Sequence, residues 1–213
     1  MKIGILGSGV VGKTLAAGFI NHGHQVMAGS RQPHKLEDWK TEISPDLQTG
    51  DFSQAAAFGD MIVLAVKGTA TKEVLRLAGT QNFSAKTVLD ATNPIADAQP
   101  VNGVLQFFTS LDNSLIEQLQ QMVPEANFVK AFNSIGAAVM VNPEYESKPT
   151  MFICGNSDAA KDEAIKILDQ FGWEVEDMGK AEAARAIEPL CMLWCIPGFL
   201  QNRWTHAFKL LKK

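Results

Sequence analysis

The chain has 213 residues, 46% of them hydrophobic and 20% charged, with a formal net charge of −4. That length suits one α/β domain with an appendage and buries a sizeable core without disulfides. The mild acidity argues against a nucleic-acid or membrane-surface binder, which carries a basic excess.

Short apolar runs alternate with amphipathic ones almost from end to end. In chain order, strands are expected at Lys2–Leu6, Gln25–Gly29, Asp46–Thr49, Met61–Val66, Thr87–Ala91, Asn127–Phe132, Met151–Cys154 and Glu174–Asp177. Helical patterns fall between them at Val10–Asn21, Ala70–Ala78, Ser114–Met122 and Ala159–Phe171. Ser114 and Glu117 have the spacing of a capping box. This alternation predicts a doubly wound, mostly parallel sheet of the Rossmann type, extended by its last two strands. One connection, Thr92 to Asn113, is long and contains Pro94, Pro100 and Gly103; such a loop in a compact domain is usually functional or mobile. After Asp177 the pattern is wholly helical, with Pro189 and Ile196–Gly198 as breaks. The expected division is a nucleotide-binding domain over 1–180 and a small helical cap over 181–213.

Cys154, Cys191 and Cys195 form an odd set with no CxxC spacing, the pattern of reduced, buried thiols in a cytoplasmic protein. The first residues place an apolar run after a lysine, as a signal peptide does. Yet glycines recur within that run, Lys13 interrupts it, and no A-x-A-like site follows. No apolar stretch of about 18 residues is read, so no membrane partner is expected.

The chemistry is concentrated at strand ends. Gly7, Gly9 and Gly12, with Ser8, Val10 and Val11 between them, form a GxGxxG turn directly after a strand and at the start of a helix. Gly7 permits the tight turn, Gly9 leaves room for a pyrophosphate, and Gly12 lets helix and strand pack closely, while free N–H groups of the helix face the anion. A methyltransferase also uses a glycine-rich turn here. Both it and NAD-specific enzymes often close the second strand with an acid on the ribose hydroxyls. This chain has Arg31 there, preceded by Ser30 and followed by Lys35. A guanidinium pairs with a 2′-phosphate in bidentate fashion where an acid would repel it. The expected cofactor is therefore NADP(H), against the plain alternative of a solvated Arg and Lys on a surface loop.

Read together with Gly29–Arg31, the glycine turn resembles that of the deazaflavin-dependent NADP oxidoreductases, and equally that of the cytosolic NADPH-oxidising domain of STEAP-type metalloreductases. Further matching landmarks are Leu64–Val66, Asp90–Pro94, Val129–Ile135, Ile153–Gly155 and Asp177–Gly179. The resemblance implies that Val66 and Lys67 pass beside the pyrophosphate and nicotinamide ribose. It also implies that Asn93 and Pro94 border the nicotinamide, with Ala131 and Asn133 on the next strand end, and that the protein is a homodimer with the apolar cap as candidate interface. The deazaflavin enzymes carry histidine where this chain has Asn133; the STEAP-type domain has asparagine.

No acid–base dyad is evident. His22 and His24 flank a helix-ending Gly23, His34 and His206 stand alone, and no HExxH, CxxC or GxSxG motif occurs. Reduction of a carbonyl needs a proton donor, for which Lys67, Lys130 and His206 are the candidates. A flavin or deazaflavin co-substrate needs only two stacked rings at about 3–3.5 Å. Ile135, Gly136, Phe107, Phe108, Trp194 and Trp204 offer material for such a pocket. Three functions stay open: hydride transfer between NADPH and a flavin-like small-molecule acceptor, reduction of a small carbonyl or imine, and NADP(H) sensing without turnover.

Overall fold

The computed structural model describes residues 1–213. Its eight strands are β1 (Lys2–Leu6), β2 (Gln25–Gly29), β3 (Gln48–Gly50), β4 (Met61–Leu64), β5 (Thr87–Asp90), β6 (Asn127–Lys130), β7 (Thr150–Gly155) and β8 (Glu174–Asp177). They form one sheet in the order β3-β2-β1-β4-β5-β6-β7-β8. Every pair is parallel except β6 and β7, which meet through Val129–Gly155 and Lys130–Cys154. The expected doubly wound, mostly parallel sheet with a two-strand extension is present.

Burial on both faces explains the near-continuous apolar strands. In β4, Met61 and Val63 join one core while Ile62 and Leu64 join the other, all four without solvent exposure. The first core is closed by α1 (Val10–Asn21), α2 (Glu37–Glu42) and α6 (Asp158–Gln170). The second is closed by α3 (Phe52–Phe58), α4 (Thr71–Ala78), α5 (Leu115–Met122) and α7 (Ala184–Ile187). Each buried Leu, Ile or Phe contributes about 1.5–3 kcal/mol against the entropy of ordering the chain. The capping box at Ser114 is formed, as is a second at Asp51 and Gln54 that opens α3.

Several expected boundaries shift. Strands β4, β5 and β6 end one or two residues early, at Leu64, Asp90 and Lys130. Their apolar continuations, Ala65–Val66, Ala91 and Ala131–Phe132, leave the sheet to form loops, with Phe132 turned into the left-handed region at φ 61°. Strand β3 begins at Gln48 rather than Asp46. Helix α8 (Pro189–Gln201) takes Pro189 in its first turn and runs through Pro197, so neither proline ends it. Asn202, left-handed at φ 53°, ends it instead.

The expected helical cap stops there, and residues 202–213 are not helical. They run back to the sheet extension, where the Phe208 carbonyl accepts from Thr150 N at 2.9 Å and Lys209 pairs with Glu174 at 2.6 Å. The helical run Ala181–Gln201, 21 residues at mean hydropathy 1.3, is long and apolar enough by length and composition to cross a membrane. Glu182, Arg185 and Glu188 hide that run in the sequence; in the fold Glu188 is buried against the sheet.

Candidate functional site

The strand order reverses between β1 and β4, and open α/β sheets bind ligands outside the carboxyl ends of the strands at such a point. Two cavities lie there. One, of about 730 Å³, is lined by Gly7, Ser8, Gly9, Ser30, Arg31, Lys35, Val66 and Lys67, with Leu36, Phe52, Val74 and Leu77 among its apolar walls. The other, of about 610 Å³, is lined by Val66, Lys67, Gly68, Thr92, Asn93 and the segment Ile95–Gln99. They share Val66 and Lys67, so they form one groove across the switch point.

The glycine turn is built as the spacing predicts. Gly7 sits at φ 145°, and a Cβ there would lie 2.1 Å from the Ala65 carbonyl oxygen. A Cβ on Gly12 would lie 2.5 Å from the Gly7 carbonyl oxygen, which fixes how closely α1 approaches the turn. At Gly9 a Cβ would meet nothing within 4 Å, so that position faces open space. Gly9 is also the N-cap of α1 and offers no capping side chain. The first N–H groups of the helix are thus left for a ligand. Val10 is exposed, whereas Val11 packs on the first core.

At the end of β2, Ser30 is buried and its Oγ accepts from Gln32 N at 3.2 Å, which leaves the hydroxyl proton free to donate. Arg31 and Lys35 have no carboxylate within 4 Å and face the cavity as unpaired cations. Glu73, on the opposite wall, is paired with Arg76 at 2.6 Å. This end of the groove is therefore net positive.

The other end is different in character. Lys67 lies 3.9 Å from Asp97 with both side chains exposed, a pair worth little in water. Asn93 donates through Nδ2 to the Asn133 carbonyl at 2.7 Å. Asn133 Nδ2 donates to the Ile187 carbonyl at 2.9 Å and reaches Asn93 Oδ1 at 3.4 Å, while its own Oδ1 is buried without a partner. Asn93 lines the cavity; Pro94, Ala131 and Asn133 are buried and do not line it, and Asn133 is tied to Asn93 by hydrogen bonds. Gly68 makes this wall possible, since a Cβ there would lie 1.9 Å from the Asn93 carbonyl oxygen.

The aromatic residues expected to supply an acceptor pocket lie outside these two cavities. Trp194 is buried, donates to the His206 carbonyl at 2.7 Å and packs on Trp204; neither Trp nor Phe107, Phe108, Ile135 or Gly136 lines either cavity. Two of the three candidate proton donors are likewise displaced. Lys130 is fully buried, 2.6 Å from Asp90 and 3.0 Å from Glu188. Burial alone would push its ammonium down, but the two carboxylates outweigh that and hold it above its ordinary value. His206 Nε2 donates to the Trp194 carbonyl at 3.0 Å, away from the groove. The Cys154 thiol is pushed up to about 12 by burial, as an inert core sulfur requires. Sequence reasoning missed Gly68, the Ile95–Gln99 wall, the apolar residues of the first cavity and the buried Glu188.

A glycine turn on the first strand, a groove across the switch point and unpaired cations at the end of the second strand define a dinucleotide-binding α/β fold. The comparisons narrow the class. Residues 2–94 match the family described as NADP oxidoreductase, coenzyme F420-dependent. The chain is 26% identical to the F420-dependent NADP reductase of Methanocaldococcus jannaschii, covering 91% of this chain and 90% of that protein. It is 29% identical to the rat metalloreductase STEAP3, covering 93% of this chain but only 39% of STEAP3, so it spans about two-fifths of that relative. The solved structure of a candidate F420-dependent NADP-reductase from Arthrobacter sp. FB24 superposes with a TM-score of 0.93 at 30% identity, covering both chains in full. The chain belongs to the coenzyme F420-dependent NADP oxidoreductase family.

Proposed function

We propose that this protein binds NADP(H) along the groove and transfers a hydride between it and a flavin- or deazaflavin-like acceptor. The observation that carries the acceptor class is the lining of the second cavity. It holds no His, Tyr, Ser or Cys. The Thr92 hydroxyl is spent on Asp90 Oδ1 at 2.6 Å, and Lys67 and Asp97 face each other at the rim. Such a wall orients a flat ring, and of the candidate proton donors it keeps only the exposed Lys67 at its rim. That suits an acceptor whose ring takes a hydride directly better than it suits a carbonyl.

The residues fit the cofactor at both ends. Arg31, Lys35 and the Ser30 hydroxyl suit a 2′-phosphate, and the amides after Gly9 suit the pyrophosphate. When bound, the nicotinamide ring supplies or receives the hydride. Val66, Lys67 and Asn93 hold its half of the groove, and Pro94, Ala131 and Asn133 support Asn93 from behind. The protein's contribution to rate is proximity and orientation.

The free cysteines support a cytoplasmic setting for this reaction. The exposed Leu193, Phe199 and Leu200 of α8, with the long loop approaching Leu200 at Gly103 and exposing Val101 and Val104, form an apolar surface that we assign to a second copy of the chain. Size-exclusion chromatography with light scattering tests that assignment, and a monomer at all concentrations would refute it. The catalytic reading is tested by anaerobic NADPH oxidation with FMN, FAD and a deazaflavin offered in parallel. Turnover with one of them, faster with NADPH than with NADH, is expected. Tight NADPH binding without turnover on any would favour a sensor.

A further inference from the structure

Behind the Asn93 wall lies a buried charge cluster drawn from three parts of the chain. The Lys130 ammonium, at the end of β6, has no solvent exposure. It lies 2.6 Å from Asp90 Oδ2 at the end of β5, 3.0 Å from Glu188 Oε1 at the α7–α8 junction, and donates to the Thr92 carbonyl at 2.9 Å. The ammonium thus makes one hydrogen bond, to Thr92, and two ion pairs, with Asp90 Oδ2 buried and accepting no hydrogen bond. Glu188 in turn accepts from Leu115 N at 2.9 Å and Ile116 N at 3.1 Å, the first two residues of α5. Asp90 Oδ1 accepts from Thr92 N at 2.9 Å. Two carboxylates against one ammonium leave an excess negative charge, which the N-terminus of α5 offsets.

Two routes run from this cluster to the same side chain. Lys130 and Asp90 fix Thr92, the residue before Asn93, by its carbonyl, its N–H and its hydroxyl. Ile187, the residue before Glu188, accepts from Asn133 Nδ2, and the Asn133 carbonyl accepts from Asn93 Nδ2. Asn93 is thus held from both its backbone and its amide, and both routes begin at Ile187–Glu188. A buried ion pair is by itself weak ground for stability, and its better-attested use is to select one arrangement. Here the arrangement selected is that of the groove wall.

We propose that Glu188, Lys130 and Asp90 are positioning residues for the nicotinamide half of the groove, through which the C-terminal helix sets the orientation of Asn93. This inference rests on the reading that the nicotinamide lies against Asn93. None of the three touches either cavity, so their effect is confined to one half of the ligand. The adenosine half, 2′,5′-ADP, is bound by Arg31, Lys35 and the glycine turn and does not depend on them.

The experiment is calorimetric titration of 2′,5′-ADP and of NADPH into the wild type and Glu188→Gln, with the fluorescence of bound NADPH as a second readout of the nicotinamide environment. Glutamine keeps an oxygen for one of the two α5 amides and removes the charge. Glu188→Gln is expected to bind 2′,5′-ADP within twofold of the wild type and NADPH about tenfold more weakly, the scale of one misplaced hydrogen bond, with the nicotinamide emission moved toward that of free NADPH. Parallel weakening of both ligands, or no change in either, would overturn the proposal. A wild type that binds neither ligand would instead refute the NADP reading, and the positioning role with it. Asp90→Asn, on the other side of the ammonium, carries the same expectation and decides the matter if Glu188→Gln does not fold.

Discussion

Replacing Arg31 by alanine removes the guanidinium at the end of β2 while leaving the fold intact, because its side chain is exposed and makes no ion pair. A bidentate contact to a 2′-phosphate comprises two charge-assisted hydrogen bonds, each worth roughly 1.5–3 kcal/mol where water is excluded. The site is open to solvent, so the pair is better valued at about 2–3 kcal/mol in total, or roughly 30- to 150-fold in affinity. That loss should fall on NADPH and leave NADH within about twofold, since only NADPH carries the phosphate. Lys35 is a second unpaired cation on the same wall, so Lys35→Ala should cost a smaller amount in the same direction. Both effects should shrink as salt rises. Fluorescence titration of NADPH and NADH at low and high ionic strength measures all of this. Equal weakening of the two cofactors by Arg31→Ala, or none, would refute the assignment of the phosphate to this corner.

The glycine turn separates folding from binding. Gly7→Ala should cost about 3 kcal/mol or more of stability, from its φ of 145° and the 2.1 Å approach to Ala65. Gly9→Ala should leave the melting temperature nearly unchanged while weakening 2′,5′-ADP and NADPH at least about tenfold; a destabilised but binding-competent variant would contradict the open space at that position. Lys130→Met should destabilise by about 3–5 kcal/mol, because it leaves Asp90 and Glu188 buried without their counter-charge, as chemical denaturation would show. The Arg185 guanidinium holds the Glu117 carboxyl down to about 2, against an ordinary 4.5. Its stabilisation is therefore present above pH 4.5 and lost as pH falls toward 2. Glu117→Gln should be less stable than the wild type by about 1 kcal/mol at neutral pH, a value reduced for the exposure of Arg185. That difference should vanish near the lower limit.

Much of the framework is legible because it is local. Strands β1, β2 and β8 and helix α1 begin and end where the pattern places them, each bounded by a turn residue or a change of period. The glycine turn and the cations of β2 were readable for the same reason. Helix α3 is not legible although Asp51 and Gln54 carry a capping signature, since its alanines blur the apolar period. The overlong strands have a physical cause: at the carboxyl ends, Ala65, Ala131 and Phe132 remain buried after they leave the sheet, so hydropathy does not mark the exit. What no local pattern discloses is a partnership across the chain. Lys130 meets Glu188 and Asn133 meets Ile187 only because β6 and the C-terminal helix are brought together by the fold. The tail after Asn202 is similar: Trp204 packs on Trp194 and Phe199 of α8, and the Phe208 carbonyl accepts from Thr150 at the sheet extension.

The most direct measurement is the fate of the transferred hydrogen. NADPH deuterated at C4 of the nicotinamide should be incubated anaerobically with the protein and a 5-deazaflavin, whose reduced C5 does not exchange with water. Deuterium recovered at C5 of the reduced deazaflavin is the result expected of direct hydride transfer across the groove. Label released to solvent, or NADPH left unoxidised while tightly bound, would contradict it.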